Sequence, residues 1–268
     1  EHYRQAVEIA IVIGDRFGEA DALKKIANIQ RRQGQYSEAL STYETTQTIS
    51  AEIQDRKGVG DSLKGKGRIY ADQYQYNEAE RNYVLALDIL AELEDRASEG
   101  DMRLTIGRLY ETQGQYSAAL EYYQQALTIH QDIENRTGEA DSLAEIGDTY
   151  WYQGQYPKAL ESYEQALAIH QSVGNRSEEG DSLYRIGLIY SSLGNYDKAL
   201  RYYEQDLAIT RQVGNRAGEG TTLNGIGLIY YNQGDYGEAL SYYEESLAIS
   251  RQVGARTGEG TSPNSLRR

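Results

Sequence analysis

The sequence predicts an all-α fold, a right-handed solenoid of antiparallel helix pairs. Three observations predict it. The 268-residue chain repeats itself every 40 residues, in copies that begin at Phe17, Lys57, Ala97, Thr137, Ser177 and Ala217 and end at Arg56, Arg96, Arg136, Arg176, Arg216 and Arg256. Each copy carries two runs of apolar residues at helical spacing. Small residues recur at fixed places within and between those runs. A period of this size builds a stack in which each unit touches mainly its neighbours, rather than a globule with one core.

Taken in chain order, residues 1–16 correspond to the last part of a copy, with Tyr3, Ile9 and Ile13 in its tyrosine, isoleucine and aliphatic slots. They are expected to form the second helix of a truncated repeat. Residues 17–256 hold the six full copies. In the fourth, Leu143, Ile146, Gly147 and Tyr150 share one helical face and define helix A. Tyr156, Ala159, Leu160, Tyr163, Ala166, Leu167, Ile169 and Val173 form the wider stripe of a longer helix B. The expected spans are positions 5–17 and 21–37 of each copy.

Gly34, Gly114, Gly154, Gly194 and Gly234 mark the turn between the helices, because glycine tolerates the left-handed conformation that ends a helix. Ser37, Asn77, Ser117 and Asp197 suit the start of helix B, and Pro157 is compatible with a first turn. Helix B is expected to end near Gly174, Gly214 and Gly254, with Asn175 and Asn215 capping the next helix A. Residues 257–268 begin a seventh, incomplete repeat, with Pro263 where a core leucine belongs. Small residues at Gly67, Gly107, Gly147, Gly187 and Gly227, and alanines from Ala39 to Ala239, mark close helix approaches.

Composition narrows the function classes. The net charge is −14 and the pI near 4.8, the opposite of a nucleic-acid binder's basic footprint. There are no cysteines, so no disulfide and no thiolate metal site, which suits a cytoplasmic location. No apolar run approaches the roughly 20 residues of a membrane span. His130 and His170 share one repeat position and lie about one helix pair apart, roughly 10 Å, too far to share a metal. They are expected to be surface residues. The run from Gly60 to Lys66 imitates a phosphate loop but continues with Gly67 and lies in helix A. No cofactor, metal or catalytic residue is expected. Asn135-Arg-Thr137 and Asn175-Arg-Ser177 match a glycosylation sequon and are read as loop and cap residues. Arg136 with Glu139, Arg176 with Glu179, Arg216 with Glu219 and Arg256 with Glu259 are spaced to pair at i, i+3, each an exposed pair contributing about 0.2–0.5 kcal/mol. Most of the 25 tyrosines occupy three repeat positions and are read as packing.

The pattern L-x2-I-G-x2-Y followed by A-x3-Y, carried by Leu143, Ile146, Gly147, Tyr150, Ala159 and Tyr163, resembles the tetratricopeptide repeat. The usual unit has about 34 residues; this one has 40 and lacks the closing proline. Its L-A-I-x4-G-N-R-x-G-E-G form is similar to the repeats of Partner-of-Inscuteable-type adaptors and of bacterial arrays joined to caspase-like (CHAT) or nucleotide-switching modules. The resemblance implies a groove lined by helix A that holds a peptide. In the adaptors, asparagines of helix A hold that peptide. Here those places read Lys25, Gly65, Thr105, Glu145, Arg185 and Gly225, so the adaptors' specificity does not carry over. Lys24 and Asn28 match the start of the carboxylate clamp of chaperone-binding relatives, but Gly65, Asp101 and Thr105 depart from it.

Function is sought where the copies differ, at the outward positions 5, 8, 12, 15 and 16 of helix A. Lys24, Asn28, Arg31, Arg32, Lys64, Arg68 and Arg108 make this face basic in the first three copies. Trp151, Tyr152, Tyr184, Leu188, Leu228 and Tyr231 make it aromatic and apolar in the last three. Asp21, Asp61, Asp101, Asp141 and Asp181 run along it, with Asp72 and Asp148 nearby. The expected function is a scaffold that binds a peptide or protein segment in a concave groove, its acidic groups on the basic part and its apolar anchors on the aromatic part. The alternatives are a sensor module of a larger enzyme, such as a CHAT-type protease or nucleotide switch, and a solenoid that stacks head-to-tail on itself. In the second copy Lys66, Tyr74 and Glu80 replace an isoleucine, the turn glycine and a leucine, and in the third Arg103 replaces a leucine.

Overall fold

The computed structural model describes residues 2–261, with side chains to residue 254. The described residues form thirteen α-helices and no strand. They fall into two compact units that divide between Ser142 and Leu143. The first holds α1 (His2–Ile13), α2 (Arg16–Arg32), α3 (Tyr36–Glu52), α4 (Arg56–Asp72), α5 (Tyr76–Glu92), α6 (Arg96–Thr112) and α7 (Tyr116–Asp132). The unit boundary falls inside α8 (Arg136–Tyr152). The second unit continues with α9 (Tyr156–Val173), α10 (Arg176–Ser192), α11 (Tyr196–Val213), α12 (Arg216–Gln233) and α13 (Tyr236–Thr261). Within each unit every helix packs on the next in the chain, the arrangement of a helix-pair solenoid. No described helix is long and apolar enough to cross a membrane.

Each helix A begins five residues earlier than expected, at the arginine of position 40. The reason is a cap. Asp15, Asp55 and Asp95 each accept a hydrogen bond from the backbone N–H three residues on, and Asn135 and Asn215 do the same. Asn175 takes the cap position without that side-chain bond. Helix B also begins before the expected caps: Ser37, Asn77, Ser117 and Asp197 lie inside the first turn. The residues before the helix are Gln35, Gln75, Gln115 and Gln155, which make no side-chain cap, and Asn195, which does. Gly254 does not end helix B, since α13 runs on to Thr261. Copy six reads Gly-Ala-Arg where copies four and five read Gly-Asn-Arg, and alanine has the higher helix propensity. The expected start of a seventh helix A is thus part of α13, and residues 262–268, with Pro263, lie outside the described residues.

The turn glycines adopt the left-handed conformation, as at Gly34 (φ +74°). Tyr74 takes the same backbone at φ +60°, as do Gln54, Glu94 and Glu134 at the end of helix B. A residue with a Cβ pays roughly 1–2 kcal/mol for it.

The core explains the tyrosines. Tyr43, Tyr83, Tyr123, Tyr163 and Tyr203 are buried. The last four lie on the glycine of the preceding helix A: a Cβ on Gly67, Gly107, Gly147 or Gly187 would stand 2.4–2.6 Å from the ring. The small residue makes room for a ring as well as for a backbone. A second set stacks in pairs across the two helices of a repeat, Tyr110 with Tyr122 at 5.4 Å and Tyr190 with Tyr202 at 5.6 Å.

Three expectations about polar residues change. His130 and His170 are buried, at 0% and 1% exposure, not on the surface. His130 fills the space between the helices A on either side of its own helix: Gly100 of α6 and Gly138 of α8 both face its ring, and burial holds its pKa below the usual value. The Arg–Glu pairs form from Arg16–Glu19 to Arg216–Glu219 wherever both residues are present, but Glu19, Glu99, Glu179 and Glu219 are buried; Arg256 and Glu259 lie outside the described side chains. Gln171 and Arg211 also reach the Glu eight residues on, so the carboxylate ties one repeat to the next. Lys66 and Arg103 do not enter the core as bare charges: Lys66 donates to Gln47 at 2.8 Å, and Arg103 bonds Glu99 and Gln125 at 2.7 Å each. Glu80 accepts from the Tyr110 hydroxyl, which raises that group's pKa. Gly60–Lys66 lies inside the continuous helix α4, not between a strand and a helix, so it cradles no phosphate.

Candidate functional site

Helix A presents one row of side chains per repeat. In the first unit two of the basic residues are engaged with aspartates of the same face. Lys24 meets Asp61 at 2.8 Å, Arg31 meets Asp72 at 2.6 Å, and Asn28 donates to the Lys24 carbonyl at 2.9 Å. Arg32 is exposed. Lys64 is half-buried on α4, and burial, followed by the neighbouring Arg68, holds its pKa down. Arg68 and Arg108 are exposed and line a shallow hollow of about 360 Å³ with Asp72, Tyr76 and Tyr83. The structure therefore gathers two of the expected basic residues and ties two others into ion pairs.

The second unit holds a better-formed hollow of about 410 Å³. Trp151 and Tyr152 of α8 and Tyr184 and Leu188 of α10 line it, as the helix-A positions imply. The Trp151 and Tyr152 rings meet edge-on at 5.1 Å, and Tyr184 lies against Tyr203 at 5.4 Å. Leu228 and Tyr231 of α12 are exposed outside it, and Tyr231 packs on Tyr236 at 5.5 Å.

Asp148 and Asp181, which the sequence places on this face, complete the hollow together with Tyr163, Arg185 and Asp206, which sequence reasoning left out of the site. Asp148 sits beneath Arg185 Nε at 3.1 Å and accepts from the Tyr163 hydroxyl at 2.5 Å. The guanidinium lies 6.0 Å from the Tyr163 ring. Burial still pushes the Asp148 carboxyl above its usual range. Asp181 lies on the wall. Asp206 of α11 lies deeper, 2% exposed; it accepts from the Thr222 hydroxyl on one oxygen, and its Oδ1 has no partner. Desolvation pushes its pKa up to about 6 despite that bond. The Trp151 indole N–H is likewise buried without an acceptor. Asp206 had a signal in the sequence: at its repeat position the other copies carry Thr46, Ala86, Ala126, Ala166 and Ser246. Reading only the outward face of helix A missed a residue that enters from helix B.

The site is thus a concave patch of aromatic rings with a few converging polar groups, which is the build of a binding surface. The sequence profile described as Tetratricopeptide repeat matches residues 59–132, 120–172 and 178–252, and a second profile of that description matches residues 22–56. The chain belongs to the tetratricopeptide-repeat family. No curated protein matches it. Among solved structures this tetratricopeptide-repeat chain is similar to BtubC (BKLC) from P. vanneervenii, with 18% identity over 80% of this chain and 90% of that one and a TM-score of 0.70. It is similar to the Signal Transduction ATPase with Numerous Domains protein with a tetratricopeptide repeat sensor from Pyrococcus horikoshii, with 19% identity, a TM-score of 0.73, and coverage of 91% of this chain and 38% of that one. Aspartyl phosphate phosphatase F from Bacillus subtilis gives 14% identity, a TM-score of 0.73, and coverage of 91% and 73%. At these identities the likeness is one of fold.

Proposed function

We propose that this tetratricopeptide-repeat protein is an interaction scaffold whose helix-A face binds a peptide or protein segment without catalysing a reaction. The observation that carries the reading is the hollow at Trp151, Tyr152, Tyr184 and Leu188. Its rings come from the variable positions of a repeat whose other positions are spent on packing. Large aromatic side chains beside a recess are typical anchors of an interface. In the first unit Arg68 and Arg108 suit acidic groups of a partner, while Lys24 and Arg31 reach such groups only by exchanging their aspartates.

A library of capped peptides screened against the whole chain tests the reading. Trp151→Ala is expected to weaken the bound peptides by about 2 kcal/mol or more. Arg68→Glu is expected to slow association at low salt more than at high salt. Glu164→Ala, an exposed change on helix B, serves as the control. Peptides that keep full affinity for both site variants and lose it with the control would place binding on the other face. A second reading, a sensor module within a larger enzyme, is favoured by the fold shared with the repeat sensor of the Pyrococcus horikoshii ATPase. It uses the same binding face.

A further inference from the structure

We infer that the hollow between Trp151, Tyr184, Asp181 and Asp206 is a socket for a basic side chain, arginine or lysine, of a bound peptide. The inference rests on the peptide-binding reading above and revises the character of its anchor. Three carboxylates and one guanidinium line the hollow. Arg185 is already paired with Asp148 at 3.1 Å, and Tyr163 donates to the same oxygen. Among the described residues no lysine or arginine pairs with Asp181 or Asp206. The hollow therefore carries negative charge that the protein does not neutralise.

The two unpartnered atoms sharpen the ligand's description. Asp206 Oδ1 needs a donor, and the Trp151 N–H needs an acceptor. A buried carboxylate oxygen without a partner is costly. An aliphatic anchor leaves both atoms unpaired. An acidic anchor is repelled by Asp181 and Asp206. A guanidinium or ammonium group supplies the donor, and the peptide carbonyl beside it supplies the acceptor. The aromatic walls favour the same ligand, because ring faces attract cations, tryptophan most strongly. Gly180 keeps the carboxylate clear: a Cβ there would stand 2.8 Å from Asp206 Oδ1. Both unpartnered atoms are covered, so side chains of the wall shift as the ligand seats.

Trp151 is the chain's single tryptophan, so its fluorescence reports on this hollow alone. The test titrates the full chain with four capped pentapeptides, Ac-Gly-Ala-X-Ala-Gly-NH2, where X is arginine, lysine, citrulline or glutamate. Binding is read by Trp151 fluorescence and, independently, by calorimetry. The arginine and lysine peptides are expected to shift the fluorescence saturably. Citrulline, which keeps the shape of arginine without its charge, is expected to bind at least about tenfold more weakly, the value of a charged hydrogen bond. Asp206→Asn and, at the wall, Asp181→Asn are each expected to cost a similar factor while circular dichroism stays helical.

Equal responses to arginine and citrulline, or a preference for glutamate, would overturn the basic socket and leave peptide binding standing. Binding seen by calorimetry with silent fluorescence would place the peptide elsewhere on the chain and overturn the socket alone. Arginine binding unchanged in both aspartate variants would also overturn it. Failure of all four peptides in both readouts would overturn the socket, and peptide binding as a whole then falls only if the library screen is empty as well.

Discussion

Asp206 is costly to the fold, and the cost has a measurable sign. Its ordinary pKa of 3.8 rises to about 6 because burial disfavours the carboxylate, with Asp181 adding to the effect and the Thr222 hydroxyl opposing it. Between those values the folded chain holds a proton that the unfolded chain has lost. Rising pH therefore favours the unfolded state across that window, and the stability present below pH 3.8 is lost as pH passes about 6. The loss is on the order of 2–3 kcal/mol at neutral pH. Asp206→Asn keeps an acceptor for Thr222 and removes the titration. The variant is expected to melt higher than the parent at pH 7.5, with the advantage shrinking or reversing by pH 4.5, in thermal unfolding followed by circular dichroism. An advantage that does not change with pH would show that Asp206 is not the titrating group.

At the scale of a helix pair, glycine and tyrosine form one unit. The ring of Tyr203 occupies the space above Gly187, where a Cβ would approach its Cε1 to 2.6 Å. Gly187→Ala improves helix propensity by about 1 kcal/mol but overpacks a buried ring, at about 1–3 kcal/mol. It is expected to lower the melting temperature. Gly237→Ala, with nothing within 4 Å of the new Cβ, is expected to raise it by a gain of about 0.4–1 kcal/mol. If both variants moved in the same direction, propensity rather than packing would govern these positions. The pairing of helices was legible in the sequence because a 3.6-residue period records which face is buried. The caps were less legible. A helix N-terminus depends on one side chain reaching a backbone N–H, and several residues near each boundary can do that. Asp15, Asp55 and Asp95 lie outside the apolar pattern that located the helices. The buried histidines were misread for a related reason: their position varies among serine, leucine, threonine and histidine, and that variability was taken for exposure, whereas at His130 small neighbours, Gly100 and Gly138, leave room for a buried ring.

At the scale of the molecule, each helix within a unit is held mainly by the helices before and after it, so stability there is a sum of repeats and their neighbouring interfaces. The same organisation made the binding face only partly legible. The repeat frame located the aromatic rings of helix A, but the carboxylate beneath them comes from helix B of the fifth repeat and was visible only as a lapse in a small-residue position. Local coupling also limits how far damage spreads. A large residue in place of Gly187 displaces Tyr203 and loosens the contact of α10 with α11, while the contacts among α2, α3, α4 and α5 are made entirely by other residues. In Gly187→Leu, hydrogen exchange followed by mass spectrometry is expected to lose protection first in α10 and α11, then in α9 and α12, with α2 to α5 retaining the parent's rates. The fluorescence of Trp151, which packs in the same cluster as Tyr163 and Ile186, is expected to shift with the α10 amides. Uniform loss of protection from α2 to α13 in a single step would show instead that the repeats unfold as one cooperative body, and the nearest-neighbour description of this chain would fail.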